Sequence, residues 1–290
     1  MVSAGEAVAH GAATIINAIA TGRGAAFGVD LWTKARVKLT EDAGVIKGRI
    51  LSDPNEDTAL IEKTALKVLQ KFGLENRCGA IVETDSNIPI ARGLKSSSTA
   101  ANAIALATLA AINKKLDDLS VVKLGVAAAL EAKVTLTGAF DDACASYFGN
   151  VIITNNLKQE IVKRFSIKEP LTVLFHVPKS KAYTAKVDVE RFKSFAPQVE
   201  LAYNAALQGR FWEAMTLNGL IYSVALGYNT ALAIEALEAG AIAAGLTGKG
   251  PAVAAVVSGK NIESVKDAWQ AYKGEIIQAK LNQKKAHILG

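Results

Sequence analysis

A chain of 290 residues fits one large domain or two lobes and can bury a substantial core. Half of it is hydrophobic, about a fifth is charged, and the net charge of +6 is scattered along the sequence, as in an ordinary water-soluble protein. No apolar run is long enough to span a bilayer, no export signal opens the chain, and the few cysteines (Cys78, Cys144) and histidines (His10, His176, His287) lack the spacing of a disulfide framework or a metal centre. A reducing cytoplasm is therefore expected. No basic, aromatic-studded strand marks a nucleic-acid surface, and an anionic small molecule suits the charge as well.

Residues 22–28, "GRGAAFG", resemble a dinucleotide fingerprint, but the spacing is wrong by one and a strand follows, so they read as a tight turn. The alternation over 25–39 predicts a long strand, with 45–52 as its hairpin partner. Residues 52–73 predict a helix capped by Asp53 or Asn55, with an apolar stripe of Leu60, Ile61, Leu66, Val68 and Leu69 and a stop at Gly73. A strand over 78–88 follows, then helices over 97–112 and 116–134. Strands are expected at 149–156, 160–167 and 171–178. Beyond Pro178 the pattern predicts helices at 188–207, 210–226, 230–243 and 261–280, with one short strand at 252–259. The order is α+β, not repeating βα units, and divides the chain into an N-terminal lobe, 1–165, and a C-terminal lobe, 166–290.

Three stretches carry candidate chemistry. In "PIARGLKSSSTAANA" (89–103), Ser96, Ser97 and Ser98 stand where an alanine-rich helix begins. Free N–H groups at a helix start attract anions, glycine lets backbone approach a ligand, serine hydroxyls can reach magnesium and Lys95 adds a full charge. A plain serine-capped helix would need one serine, and three with Gly93 and Lys95 point to phosphate. The stretch is no Walker A loop, because Leu94 separates Gly93 from Lys95. "GKG" (248–250) fails the same test, with Gly250 where Ser or Thr is required. In "TLTGAFDDACASYFGN" (135–150), Asp141 and Asp142 could orient and deprotonate a hydroxyl, or one could cap the helix after them. Glu131 could be a magnesium carboxylate or an exposed helix residue. "GLTGKGPAVAAVV" (245–257) is either a turn whose amides face a ligand or an ordinary connection.

Together, "P-x-x-x-G-L-K-S-S-S", "TGAFDDA" and "GLTGKGPA" resemble the three motifs of the GHMP kinase superfamily, and "GAAFGVDLWTKARV" resembles its second strand. Lys95 replaces the second glycine of the usual central motif. That feature and the N-terminal segment are similar to the archaeal-type shikimate kinase family. The resemblance implies the GHMP two-lobe α+β fold, with an N-terminal lobe like domain 2 of ribosomal protein S5 and a ferredoxin-like C-terminal lobe. It implies a cytoplasmic enzyme that moves the γ-phosphoryl of ATP, with Mg²⁺, to the 3-hydroxyl of shikimate, on the way to chorismate and the aromatic amino acids. The alternatives are a homoserine- or mevalonate-type kinase, or a non-catalytic metabolite sensor.

By the same resemblance, the stretch Pro89, Ile90, Ala91, Arg92, Gly93, Leu94, Lys95, Ser96, Ser97 and Ser98 holds the triphosphate. Lys95 offsets charge on the transferred group, Ser98 and Glu131 hold Mg²⁺, and Asp141, the first of its pair, is the base. Glu6 and His10 are candidates for the acceptor side. Neither a nucleic acid nor a membrane is an expected partner.

Overall fold

The computed structural model describes residues 3–180 and 189–290. Two sheets organise the chain. The first begins with β1 (Ala4–Ile16) and β2 (Arg23–Thr40), antiparallel along their whole length, with Ala4 opposite Lys38 and Ile16 opposite Ala25. The second half of β2 pairs with β4 (Gly79–Ser86), and its first half pairs with β5 (Val151–Asn155), which carries β6 (Glu160–Phe165).

β1 is absent from the sequence reading because alanine is a poor strand former and both faces of the strand are covered, which erases the alternation. The expected hairpin is also corrected. β3 (Ile46–Ile50) does not pair with β2, but lies parallel to β4, on its far side. The link between those parallel strands is the helix α1 (Ala59–Lys71), as parallel neighbours require a crossover. Neither Asp53 nor Asn55 caps α1. Its N-cap is Thr58, without a side-chain cap, and Asp57 Oδ1 accepts the Ala59 N–H at 2.7 Å. Gly73, at φ +65, ends the helix as expected.

The helix α2 (Ser96–Ala111) lies directly on β1. A Cβ added to Gly5 would stand 2.3 Å from the Ala107 carbonyl, so small residues on both elements set their separation. Helices α3 (Asp118–Glu131) and α4 (Phe140–Phe148) pack around α2, which leaves it buried on nearly every side. Asp117 caps α3 by accepting from the Ser120 N–H at 2.9 Å.

The second sheet is antiparallel, in the order β10 (Glu275–Lys280), β7 (Thr172–Val177), β9 (Val253–Val257), β8 (Ala243–Leu246). On one face lie α5 (Val189–Lys193), α6 (Ala196–Leu207) and α7 (Phe211–Leu226), and on the other α8 (Ala231–Glu238) and α9 (Ile262–Trp269). The helix expected over 188–207 is broken before Pro197, and residue 188 lies outside the described residues. The one expected over 261–280 stops at Trp269 and gives way to β10 beyond Gly274, whose missing Cβ makes room for the His176 ring. β8 begins at the last residue of the helix expected over 230–243 and runs into the stretch read as a glycine-rich turn.

One core joins the two sheets. Ile15, Phe27 and Ile153 of the first pack in the same cluster as Phe175, Val199 and Val256 of the second half of the chain. The last strand, β11 (His287–Leu289), returns to the first sheet and pairs with β1, with Glu6 opposite Leu289. Among the described residues no helix is long and apolar enough to cross a membrane.

Candidate functional site

The sequence ahead of α2 folds into a succession of left-handed residues. Ala91 (φ +55), Gly93 (φ +91) and Lys95 (φ +65) alternate with ordinary backbone, a conformation that turns successive N–H groups toward one concavity. Lys95 is the N-cap of α2, and the first helical bond runs from Thr99 N–H to the Lys95 carbonyl at 3.1 Å. The N–H groups of Ser96, Ser97 and Ser98 precede that bond and sit at the positive end of the helix dipole. All three serines line a cavity of about 420 Å³, together with Ile90, Ala91, Gly93 and Lys95.

Asp141 and Asp142 face the same cavity from the first turn of α4. Neither caps the helix, since its N-cap is Ala139. Helix α4 is tied to the start of α2 by Asn102 Nδ2, which donates to the Ala143 carbonyl at 2.9 Å, and by the Ser146 hydroxyl, 3.3 Å from Thr99 Oγ1. These contacts fix the acids relative to the serine loop. Asp142 pairs with Lys95, Nζ to Oδ2 at 2.9 Å, and its other oxygen, Oδ1, is buried without a hydrogen-bond partner. Asp141 accepts from Asn156 Nδ2 at 2.7 Å, and Thr154 donates in turn to Asn156 Oδ1 at 2.6 Å. A Cβ on Gly24 would come within 2.4 Å of Asp141 Oδ2, which is why the strand carries glycine there. Burial and the neighbouring Asp142 charge raise the pKa of Asp141 well above the usual carboxylate range, and Lys95 only partly offsets them.

The glycine-rich turn of the second sheet closes over the loop. Thr247 Oγ1 donates to the Gly93 carbonyl at 3.2 Å, and the Ala252 N–H donates to the Arg92 carbonyl at 3.2 Å. A Cβ on Gly93 would lie 2.4 Å from the Thr247 carbonyl. Gly248, Lys249 and Gly250 all line the cavity. Part of the cavity wall is apolar, where Leu60, Ala129 and Val134 pack together and Leu136 also contributes.

Several expected residues stand elsewhere. Glu131 is exposed at the end of α3 and held by Lys63 at 3.0 Å and Lys67 at 2.6 Å, two cations of α1 that pull its carboxyl down to about 2. It does not line the cavity. Glu6 lies on the outer face of β1 against Arg36, at 3.3 Å, and His10, near Lys284 and His287, is likewise outside the cavity. Both belong to β1, which carries them away from the cavity. Leu94 is buried in the core, and Arg92 reaches the Pro178 carbonyl; these two and Pro89 brace the loop without lining the cavity. Lys249 and Asn17 were missed as site residues. Each gave only a glycine-flanked lysine or an isolated amide as signal.

The residues present fit a magnesium nucleotide. Among the described residues no cluster of three or more His, Cys, Asp or Glu could hold a metal. Magnesium instead takes one or two protein oxygens and completes its shell with phosphate and water. Asp142, whose Oδ1 is buried without a hydrogen-bond partner, and Ser98 both line the cavity and carry oxygens of that kind.

Comparison with known proteins agrees with this geometry. The model of the GHMP kinases N terminal domain matches residues 59–150, and that of the GHMP kinases C terminal domain matches 205–275. A shikimate kinase of Methanosarcina acetivorans is 49% identical over 97% of this chain and 95% of its own length. One of Pyrococcus furiosus is 43% identical over 92% and 95%. Among solved structures, homoserine kinase from Cytophaga hutchinsonii superposes with a TM-score of 0.77 at 16% identity, covering 99% and 98% of the two chains. Methanococcus jannaschii mevalonate kinase gives 0.74 at 15% identity, over 97% and 98%.

Proposed function

The chain belongs to the GHMP kinase family, and from that premise we propose that it transfers the γ-phosphoryl group of ATP to the 3-hydroxyl of shikimate. The observation that carries the chemistry is one cavity in which a helix start, a lysine and a buried carboxylate of raised pKa converge. Such transfer needs positioning and charge neutralisation more than covalent help. The N–H groups of Ser96 to Ser98 and the Lys95 ammonium hold the triphosphate. The apolar part of the wall, at Leu60 and Val134, takes the base of the nucleotide. Bound Mg²⁺ supplies charge neutralisation between the phosphates. Ser98 and Asp142 are its protein ligands in this reading, and Glu131, committed to two lysines, takes no part.

Asp141 orients the acceptor hydroxyl and accepts its proton. A raised pKa suits that role, since a base poised near neutrality has both the free form and the driving force. Asp142, fixed by Lys95, is the less suited of the two. We place the lobe division at 165/166, with β11 as a returning strand.

The test is ADP release with MgATP, run in parallel against shikimate, homoserine and mevalonate. Release with shikimate alone is expected. Release with another acceptor only would keep the kinase chemistry and discard the substrate. Nucleotide binding without release would favour a sensor.

A further inference from the structure

Lys249 stands at the tip of the glycine-rich turn and has no role so far. Its backbone is fixed on the side of Gly248 by two bonds. Thr14 Oγ1 accepts the Gly248 N–H at 2.9 Å, and Asn17 Nδ2 donates to the Gly248 carbonyl at 2.9 Å. Asn17 is itself held, because its N–H donates to Asn218 Oδ1 at 3.0 Å and its carbonyl accepts from the Tyr222 hydroxyl at 3.0 Å. The Gly250 N–H closes the turn onto the Thr247 carbonyl at 3.0 Å. Left-handed glycines at 248 (φ +61) and 250 (φ +74) let the chain double back on either side of the lysine. The result is a rigid turn that presents one cationic side chain to the cavity.

Among the described residues, three basic side chains line that cavity: Lys95, Lys133 and Lys249. Lys95 belongs to the helix start and to Asp142. Lys133 follows α3, beside the apolar cluster of Leu60, Ala129 and Val134. Lys249 shares its surroundings with Asn17 and lies close enough to Lys95 and Asp142 to feel both charges. Burial and Lys95 pull its ammonium down to about 8.

We propose that Lys249 binds the carboxylate of the acceptor and so makes the enzyme select an anionic hydroxy acid over its neutral counterpart. This rests on the function proposed above. The triphosphate already has the α2 start and Lys95. The acceptor's carboxylate, entering the same enclosed space, needs a cation of its own, because a buried charge without a partner is costly.

The experiment is steady-state kinetics of wild type, Lys249→Met and Lys249→Arg with MgATP, using shikimate and shikimate methyl ester. The ester keeps the 3-hydroxyl and loses the charge. Wild type should prefer the acid by about 10–100-fold in kcat/KM, the scale of one charge-assisted hydrogen bond. Lys249→Met should raise the shikimate KM by that factor, leave the KM for MgATP and the ester reaction unchanged, and so close the gap. Lys249→Arg, which keeps the charge, should keep the gap. The wild-type shikimate KM should also rise as pH passes about 8, where the ammonium is lost, and arginine should remove that rise. A Lys249→Met enzyme with a raised KM for MgATP, or one slowed equally with acid and ester, would assign Lys249 to the phosphates and overturn the proposal. So would a wild type indifferent to the ester. Wild type inactive on shikimate but active on another hydroxy acid overturns only the substrate, and the acid–ester comparison then runs on that acid.

Discussion

Residues 91–98 hold three left-handed positions, and two of them, Ala91 and Lys95, carry a Cβ, whereas the left-handed positions of the turn at 247–251 are both glycine. Each turn brings a lysine to the same cavity, but by opposite means. Lys249 is presented from a relaxed loop, between glycines that absorb the bend. Lys95 occupies the strained position itself, where the related motif has its second glycine. A side chain held in that conformation costs about 1–2 kcal/mol relative to glycine. The cost is met because the Lys95 ammonium neutralises Asp142, a carboxylate with little access to water. Strain at a functional position is tolerated where the surroundings over-determine it.

The largest effect is expected between the two turns, at the proposed base, Asp141. Asp141→Asn should cut kcat by about 10²–10⁴-fold while MgATP affinity, read by titration calorimetry, stays put. The same change should hold or raise the Tm at neutral pH, because a carboxyl with a raised folded pKa loses stability as pH rises through it. If turnover survives Asp141→Asn and is abolished by Asp142→Asn, the base is the other acid.

The strained turn is tested next. Lys95→Met keeps the left-handed Cβ and strands Asp142, which should cost about 3–5 kcal/mol. Lys95→Gly strands the same acid but relieves the backbone, so its Tm should fall between those of wild type and Lys95→Met. Equal Tm values for the two variants would remove the strain argument. Gly93→Ala should cost about 1–3 kcal/mol, since the new Cβ meets the Thr247 carbonyl and pushes the two turns apart.

The pH profile sharpens the contrast further. Activity should fall as pH drops through the raised pKa of Asp141, because only the free carboxylate accepts a proton. On the alkaline side the loss should sit in the shikimate KM and belong to Lys249. The smallest effect is expected at Glu131→Gln, which should leave the magnesium dependence of turnover unchanged. A raised magnesium requirement in that variant would return Glu131 to the metal.

What could be read in the sequence was local. The serine-rich start of α2 and the two acids of α4 are contiguous stretches whose residue types state their chemistry, and both reached the cavity. Glu131 stands outside the cavity, where it is held by Lys63 and Lys67, far away along the chain but adjacent on α1. β1 hid because burial on both faces erases the two-residue period, and β3 was assigned to β2 because proximity in sequence suggests a hairpin. Lys249 was visible only as a member of the glycine-rich stretch 245–257 and as a failed Walker A match. Its position depends on Thr14 and Asn17, more than two hundred residues earlier.

The return of β11 to β1 has a consequence for synthesis. The ribosome delivers β1 long before its outer partner, residues 287–289. At about 5–20 residues per second, some 15–60 s separate the two. For that time Glu6, Ala7 and Val8 of β1 lack the partner strand that later covers them, and offer an open edge to any neighbouring nascent chain. Chaperone cover of that edge is expected to govern the yield of soluble enzyme, and removal of residues 287–289 should turn a transient hazard into a permanent one.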